Sequence, residues 1–73
     1  MEDPRAYVRI ADLLRQQITA GQIMAGQPVP SITTLTQDHG VARQTAAKAL
    51  RMLESEGLVY RVPGLGYYVT EHQ

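Results

Sequence analysis

The stretch from His39 to Leu58, HGVARQTAAKALRMLESEGL, limits the folds open to this chain, because a turn signal runs into a helix whose two faces need different neighbours. At about 100° per residue, Ala46, Ala49, Leu50 and Leu53 share one arc, with Val41 just ahead of it. These five are expected to face a core. The opposite arc carries Gln44, Ala47, Lys48, Arg51 and Ser55, with Arg43 at its shoulder, and no acid lies between His39 and Leu53. A solvated exterior would account for such a face on composition alone. The order of charges argues otherwise. A helix that stabilises its own dipole has acids in its first turn and bases in its last, whereas here Arg43 opens the helix and Glu54 and Glu56 close it. An external anion at the positive end, held by backbone N–H groups and Arg43, would supply the missing charge.

The flanking segments supply what this helix packs against. Asp3 and Pro4 read as an N-cap and first helical position, and Tyr7, Ile10, Ala11, Leu14 and Ile18 then recur at helical spacing to about Ala20, with Gly21 as the stop. At that spacing Tyr7 reads as a core residue rather than a base-stacking one. Gln22 to Pro30, QIMAGQPVP, sets two prolines and a glycine around Val29 and predicts a connector with at most a short edge strand. Ser31 stands as N-cap of a short second helix, along which Ile32, Leu35 and His39 follow at helical spacing to Gly40. Thr34 holds the third helical position, where a capping box would have Glu. His39, on the apolar side, reads as a partly buried core residue rather than a ligand or pH switch.

Beyond the third helix, Gly57 and Leu58 read as a glycine stop with its hydrophobic contact, and the period then changes. LVYRV and YYVT are β-branched and aromatic runs separated by Pro63, Gly64, Leu65 and Gly66, which predicts a hairpin with a four-residue tip. The expected core is Tyr7, Ile10, Leu14, Ile18, Leu35, Val41, Ala46, Leu50, Leu53 and Leu58. Two helices joined by the Gly40–Val41–Ala42 turn, with a helix before and a hairpin after, make an α+β fold. It is a three-helix winged helix-turn-helix with a C-terminal two-stranded β-hairpin wing. The whole chain, residues 1–73, reads as one domain, with the helix-turn-helix at about 32–51 and the wing at about 58–70. The architecture is one that lays a helix in the major groove of DNA.

Composition narrows the function classes. A 73-residue chain buries only about 60% of its unfolded surface, which leaves little room for an enclosed catalytic pocket and favours a binding module. No cysteine is present, so disulfides and thiolate metal sites are excluded. No apolar run approaches the ~20 residues of a membrane span, and MEDPRAYVRI is acidic before it is apolar, unlike a signal peptide, so a cytoplasmic protein without membrane association is expected. Ser31 has a capping role, neither His39 nor His72 has a visible base partner, and no phosphate loop or histidine-carboxylate metal spacing occurs. No enzyme activity, cofactor or metal is expected. Seven basic residues balance seven acidic ones, so any basic footprint must come from segregation, as in the cluster Arg43, Lys48 and Arg51.

From Pro30 to Val69 the chain resembles the N-terminal DNA-binding domain of the GntR family of bacterial transcription regulators. The resemblance is carried by Pro30-Ser31 ahead of the second helix, GVAR at Gly40 to Arg43, ALRMLESEGLV at Ala49 to Val59, and GLGYYV at the hairpin, the last two together being the most specific. It implies a sequence-specific operator binder, usually dimeric, with a separate effector-binding and dimerising domain after the wing. In that family the first turn of the third helix reads bases, which would assign Arg43, Gln44 and Thr45, with Ala47 one turn further on. Arginine can pair with guanine O6 and N7, and glutamine with adenine. Lys48 suits a phosphate. The resemblance would set Ser31, Thr33 and Thr34 against the DNA backbone and the Gly64, Leu65 and Gly66 tip at the minor groove. Thr33, Ala47 and Leu65 stand where the family usually has arginine, and Ala42 where the third helix usually has a Ser or Thr cap. Thr33 and Leu65 therefore read as exposed positions at which an arginine could be added without disturbing the fold.

Binding to a double-stranded DNA operator and transcriptional regulation, most simply repression by occlusion, is thus the leading expectation. The alternative is a winged-helix protein-interaction module with little DNA affinity, which zero net charge and an apolar Leu65 at the tip would permit. The chain stops a few residues beyond the wing, and reads either as part of a longer regulator or as a minimal one. The isolated chain is expected to be monomeric, and to dimerise on DNA or through a C-terminal domain.

Overall fold

The computed structural model of the chain describes residues 3 and 5–71, with α1 at Ala6–Thr19, α2 at Ile32–His39, α3 at Arg43–Ser55, β1 at Val59–Val62 and β2 at Gly66–Val69. Three helices and a two-stranded antiparallel sheet form the winged helix-turn-helix that the periodicity predicts.

Helix α1 starts later than Asp3 and Pro4 suggest. Arg5 holds the N-cap position, and Pro4, expected as the first helical residue, lies outside the described residues, as does His72. Asp3 contributes from two residues further out: its carboxylate accepts the Arg5 N–H at 2.8 Å and its carbonyl accepts the Ala6 N–H at 2.9 Å. A short carboxylate that bonds the backbone two residues on favours a turn, and the helix follows that turn.

Helix α2 begins as expected, with Ser31 Oγ accepting the Thr34 N–H at 3.1 Å. The same hydroxyl donates to Thr34 Oγ1 at 3.0 Å, a side-chain contact that differs from the capping-box bond, in which a glutamate accepts the N-cap backbone N–H. The helix ends at Gly40, whose φ of 64° reverses the chain into α3. His39 is exposed, contrary to the core placement expected for it. It is the last residue of a short helix, where a basic group in solvent complements the carbonyl end of the dipole.

Helix α3 buries Ala46, Ala49, Leu50 and Leu53, the arc read from the sequence. At its end Gly57, with φ 79°, donates to the Glu54 carbonyl at 2.9 Å, and Leu58 N–H reaches the Leu53 carbonyl at 3.1 Å. This Schellman arrangement satisfies two orphan carbonyls and leaves Leu58 half-buried, so that the next residue, Val59, enters the core in its place.

The hairpin pairs Val59 with Val69, Tyr60 with Tyr68, Arg61 with Tyr67 and Val62 with Gly66. Gly66 therefore belongs to β2, and the tip is the shorter loop Pro63 to Leu65, closed by Leu65 N–H to the Val62 carbonyl at 3.0 Å. Strand alternation puts Val59 and Val69 on the core side and the Tyr60–Tyr68 pair on the other, their rings 6.1 Å apart.

The segment from Gln22 to Pro30 does more than connect. Gly26 N–H reaches the Val69 carbonyl, Val69 N–H the Gln27 carbonyl, and Val29 N–H the Tyr67 carbonyl, at 2.9, 2.9 and 3.0 Å. Pro28 bridges Tyr68 along the same edge of β2. The prolines are compatible with this pairing because Val29 is the donor and each proline sits where none is needed. Val29 is thereby buried with Ile10, Ala11, Leu14, Leu35, Ala46, Ala49, Leu50, Leu53, Val59 and Val69. Tyr7, Ile18 and Val41, expected inside, pack half-buried around that core.

Candidate nucleic-acid interface

Zero net charge conceals a division, among the described residues, between cations paired with carboxylates and cations that are not. Every arginine of α1 and its N-cap is paired with a carboxylate: Arg5 and Arg9 with Asp3 at 3.6 and 2.8 Å, and Arg15 with both Asp12 and Glu56. The Arg15 fork is bidentate on Glu56, with Nε to Oε1 at 2.9 Å and Nη2 to Oε2 at 2.7 Å. These hydrogen bonds hold the Glu56 carboxyl below its ordinary range and raise Arg15. Asp3 is likewise lowered, first by the Arg5 backbone N–H and then by the Arg9 side chain. The other four cations, Arg43, Lys48, Arg51 and Arg61, have no carboxylate partner among the described residues. All four lie on α3 or on the wing strand packed against it.

At the start of α3, Ala42 occupies the N-cap without a side-chain cap bond, and no acid lies in the first turn. Arg43 and Gln44 are exposed there, while Thr45 is half-buried. Arg43 Nη1 donates to Thr33 Oγ1 at 3.2 Å, which ties the first turn of α3 to the first turn of α2. One turn on, Ala47 is half-buried and Lys48 is exposed, with its Nζ 4.2 Å from the centroid of the Tyr7 ring. Tyr7 is thus both a core-packing residue and the platform for a surface cation.

Between α3, the start of α2 and the wing lies an open cleft of about 580 Å³. Ser31, Thr33, Arg43, Ala47, Gly64 and Gly66, all singled out in the sequence, line it. Thr34, Gln44, Thr45, Lys48 and Leu65 do not; Thr34 is engaged by Ser31, and Leu65, 70% exposed, projects from the tip. Arg51, Arg61 and Tyr67 line the cleft as well, together with the apolar side chains of Ile32, Leu50 and Val62. Arg51 was legible on the basic arc of the helix. Arg61 was legible only through strand alternation, two residues beyond core-facing Val59 and paired with Tyr67. Guanidinium groups and hydroxyls around an open cleft suit an extended anion. Among the described residues no cluster of His, Cys, Asp or Glu could hold a metal ion, and no helix is long and apolar enough to cross a membrane.

Known proteins are similar to this chain in sequence and in shape. The chain is 36% identical over 67 residues to the mannosyl-D-glycerate transport/metabolism system repressor MngR of Escherichia coli (strain K12), covering 92% of this chain and 28% of that protein. It is 35% identical over 65 residues to the HTH-type transcriptional repressor NagR of Bacillus subtilis (strain 168), covering 89% of this chain and 27% of that protein. The chain therefore spans between a quarter and a third of the length of these relatives. Among solved structures, AraR(DBD) in complex with operator ORR3 superposes with a TM-score of 0.86 at 35% identity, over 89% of this chain and 78% of that one. Residues 6–69 match the family described as bacterial regulatory proteins, gntR family, and the chain belongs to that family of DNA-binding transcription regulators.

Proposed function

We propose that the chain, acting over residues 1–73 as one domain, binds a double-stranded DNA operator in the bacterial cytoplasm and regulates transcription, most simply by repression through occlusion. The observation that supports this best is the set of four cations on α3 and β1 that have no carboxylate partner among the described residues, whereas Arg5, Arg9 and Arg15 are each paired with an acid. Repression is also what the names of MngR and NagR state of those relatives. In this reading α3 enters the major groove. Arg43 pairs with guanine, Gln44 and Thr45 reach neighbouring bases, and Ala47 lets the helix approach closely. Lys48 takes a phosphate. Ser31, Thr33 and Thr34 lie along the backbone, and Gly64, Leu65 and Gly66 bring the wing tip to the minor groove. The isolated chain is a monomer on a half-site, and two copies occupy a full operator.

A protein-interaction module remains the competing reading, because exposed Leu65 and Tyr60 give the wing apolar surface. Selection of bound sites from a random duplex library separates the two. Enrichment of a common half-site supports operator binding, whereas recovery of random sequence at background level supports the interaction module.

A further inference from the structure

We propose that Arg51 and Arg61 clamp a single backbone phosphate between α3 and the wing, so that the wing is anchored to DNA through its first strand rather than its tip. The inference rests on the DNA-binding reading and adds to it a contact that neither the α3 first turn nor the wing tip supplies.

Arg43, Ala47 and Arg51 recur at four-residue spacing and form one ridge of α3 along the cleft. Ala47, which ends at its Cβ, lines the cleft together with both arginines of that ridge. Arg61 stands on the facing wall. Its strand is fixed from beneath, because Val59, two residues earlier, is buried in the core and Val69 pairs with it. A cation on a strand anchored in this way has a defined position, unlike one on the three-residue tip. Both arginines are exposed, and neither has a carboxylate partner among the described residues. Arg15, whose fork is closed on Glu56, shows what an arginine of this fold does when its partner is internal. Two guanidinium groups that line one cleft without a counter-charge repel each other, and an anion between them reverses the sign of that term. A phosphodiester, with two free oxygens and room to run along an open cleft, matches two guanidinium forks better than a lone carboxylate does. Leu65 at the tip has no charge to neutralise a phosphate.

The test is a salt titration of binding to a selected duplex by the wild type and by Arg51→Ala, Arg61→Ala and the double variant. Arg5→Ala, which removes an arginine remote from the cleft, serves as the comparison. Circular dichroism melts establish that each variant is folded. Each single substitution should weaken binding about tenfold on every duplex alike, the size expected when a charge-assisted contact is lost. The double variant should flatten the log affinity against log salt slope by about 0.9, the signature of one phosphate. Arg5→Ala should leave the slope unchanged. A flattening of about 1.8 in the double variant would mean two separate phosphates and overturn the clamp, as would an unchanged slope or a base-dependent loss. If the wild type shows no salt-dependent binding to any duplex, the DNA-binding reading itself falls and the clamp with it. If the wild type binds and the variants keep its slope, the clamp alone falls.

Discussion

Thr33 Oγ1 accepts a hydrogen bond from Arg43 Nη1 at 3.2 Å, so the residue proposed to read guanine is tied to the helix that precedes its own. This changes what substitution at Thr33 should do. The sequence alone suggests that Thr33→Arg adds a phosphate contact and nothing else. In the folded chain it also removes the acceptor and sets a like charge beside Arg43. The slope of affinity against salt should steepen by about 0.9, while discrimination at the base pair read by Arg43 weakens. Thr33→Val, which keeps the shape and deletes the acceptor, should weaken discrimination without steepening the slope. Stability should change by no more than about 0.5 kcal/mol in either case, since the site is exposed. Competition between cognate and point-mutated duplexes measures the first effect and denaturant melts the last. Unaltered discrimination in both variants would show that Thr33 does not orient Arg43.

Arg43→Ala and Lys48→Ala should fail differently. Loss of a bidentate base contact costs about 1–3 kcal/mol and flattens preference at one base pair, whereas loss of a phosphate contact weakens all sequences together. Tyr7 sharpens the comparison, because its ring lies under Lys48 Nζ. Tyr7→Leu should weaken binding to all duplexes by about two- to fivefold, corresponding to a cation–π term of about 0.5–1 kcal/mol, and Tyr7→Phe should not. Titrations on two unrelated duplexes measure both. A change of base preference in Lys48→Ala or Tyr7→Leu would contradict the assignment.

The Arg15–Glu56 pair joins α1 to the end of α3 and should make stability depend on pH at the acid end. The Glu56 pKa is lowered in the folded state, so its contribution is present above the ordinary glutamate value and is lost as pH falls through the folded one. Glu56→Gln should therefore melt at a lower temperature than the wild type near neutrality. The gap should close as the pH falls below the ordinary carboxylate range. Melting curves at a series of pH values measure it, and a gap that persists unchanged in acid would exclude the ion pair as its origin.

Ala42 and Ser31 hold the N-cap positions of α3 and α2 in the same extended conformation, with ψ 156° and 166°. A serine fits the first as it fits the second. Ala42→Ser should stabilise the chain by about 1 kcal/mol through a bond to the first turn. Chemical denaturation measures the gain. No gain would indicate that the start of α3 is already satisfied by other means.

The helices were legible because their apolar residues repeat at the helical period and because Ser31, Gly40 and Gly57 mark ends by local chemistry. What escaped the sequence depends on contacts between distant segments. Val29 lies between two prolines that disguise its pairing with β2. His39 keeps helical spacing, but nothing in that spacing shows that its helix stops before the residue can be covered. Most of the cleft follows from motif positions on α2, α3 and the wing tip. Arg61 does not, because its role depends on which face of β1 meets the core. Likewise, Thr33 and Arg43 are ten positions apart and meet only through the turn at Gly40.

The central claim, that the face built by α3 and β1 neutralises DNA phosphates, is tested most directly by affinity for a selected duplex half-site as a function of salt. With Lys48 on one phosphate and Arg51 and Arg61 sharing another, about two phosphates are neutralised by cations that have no carboxylate partner among the described residues, which predicts a log–log slope of about −1.8. A slope near zero on every duplex would contradict the account and favour the protein-interaction reading.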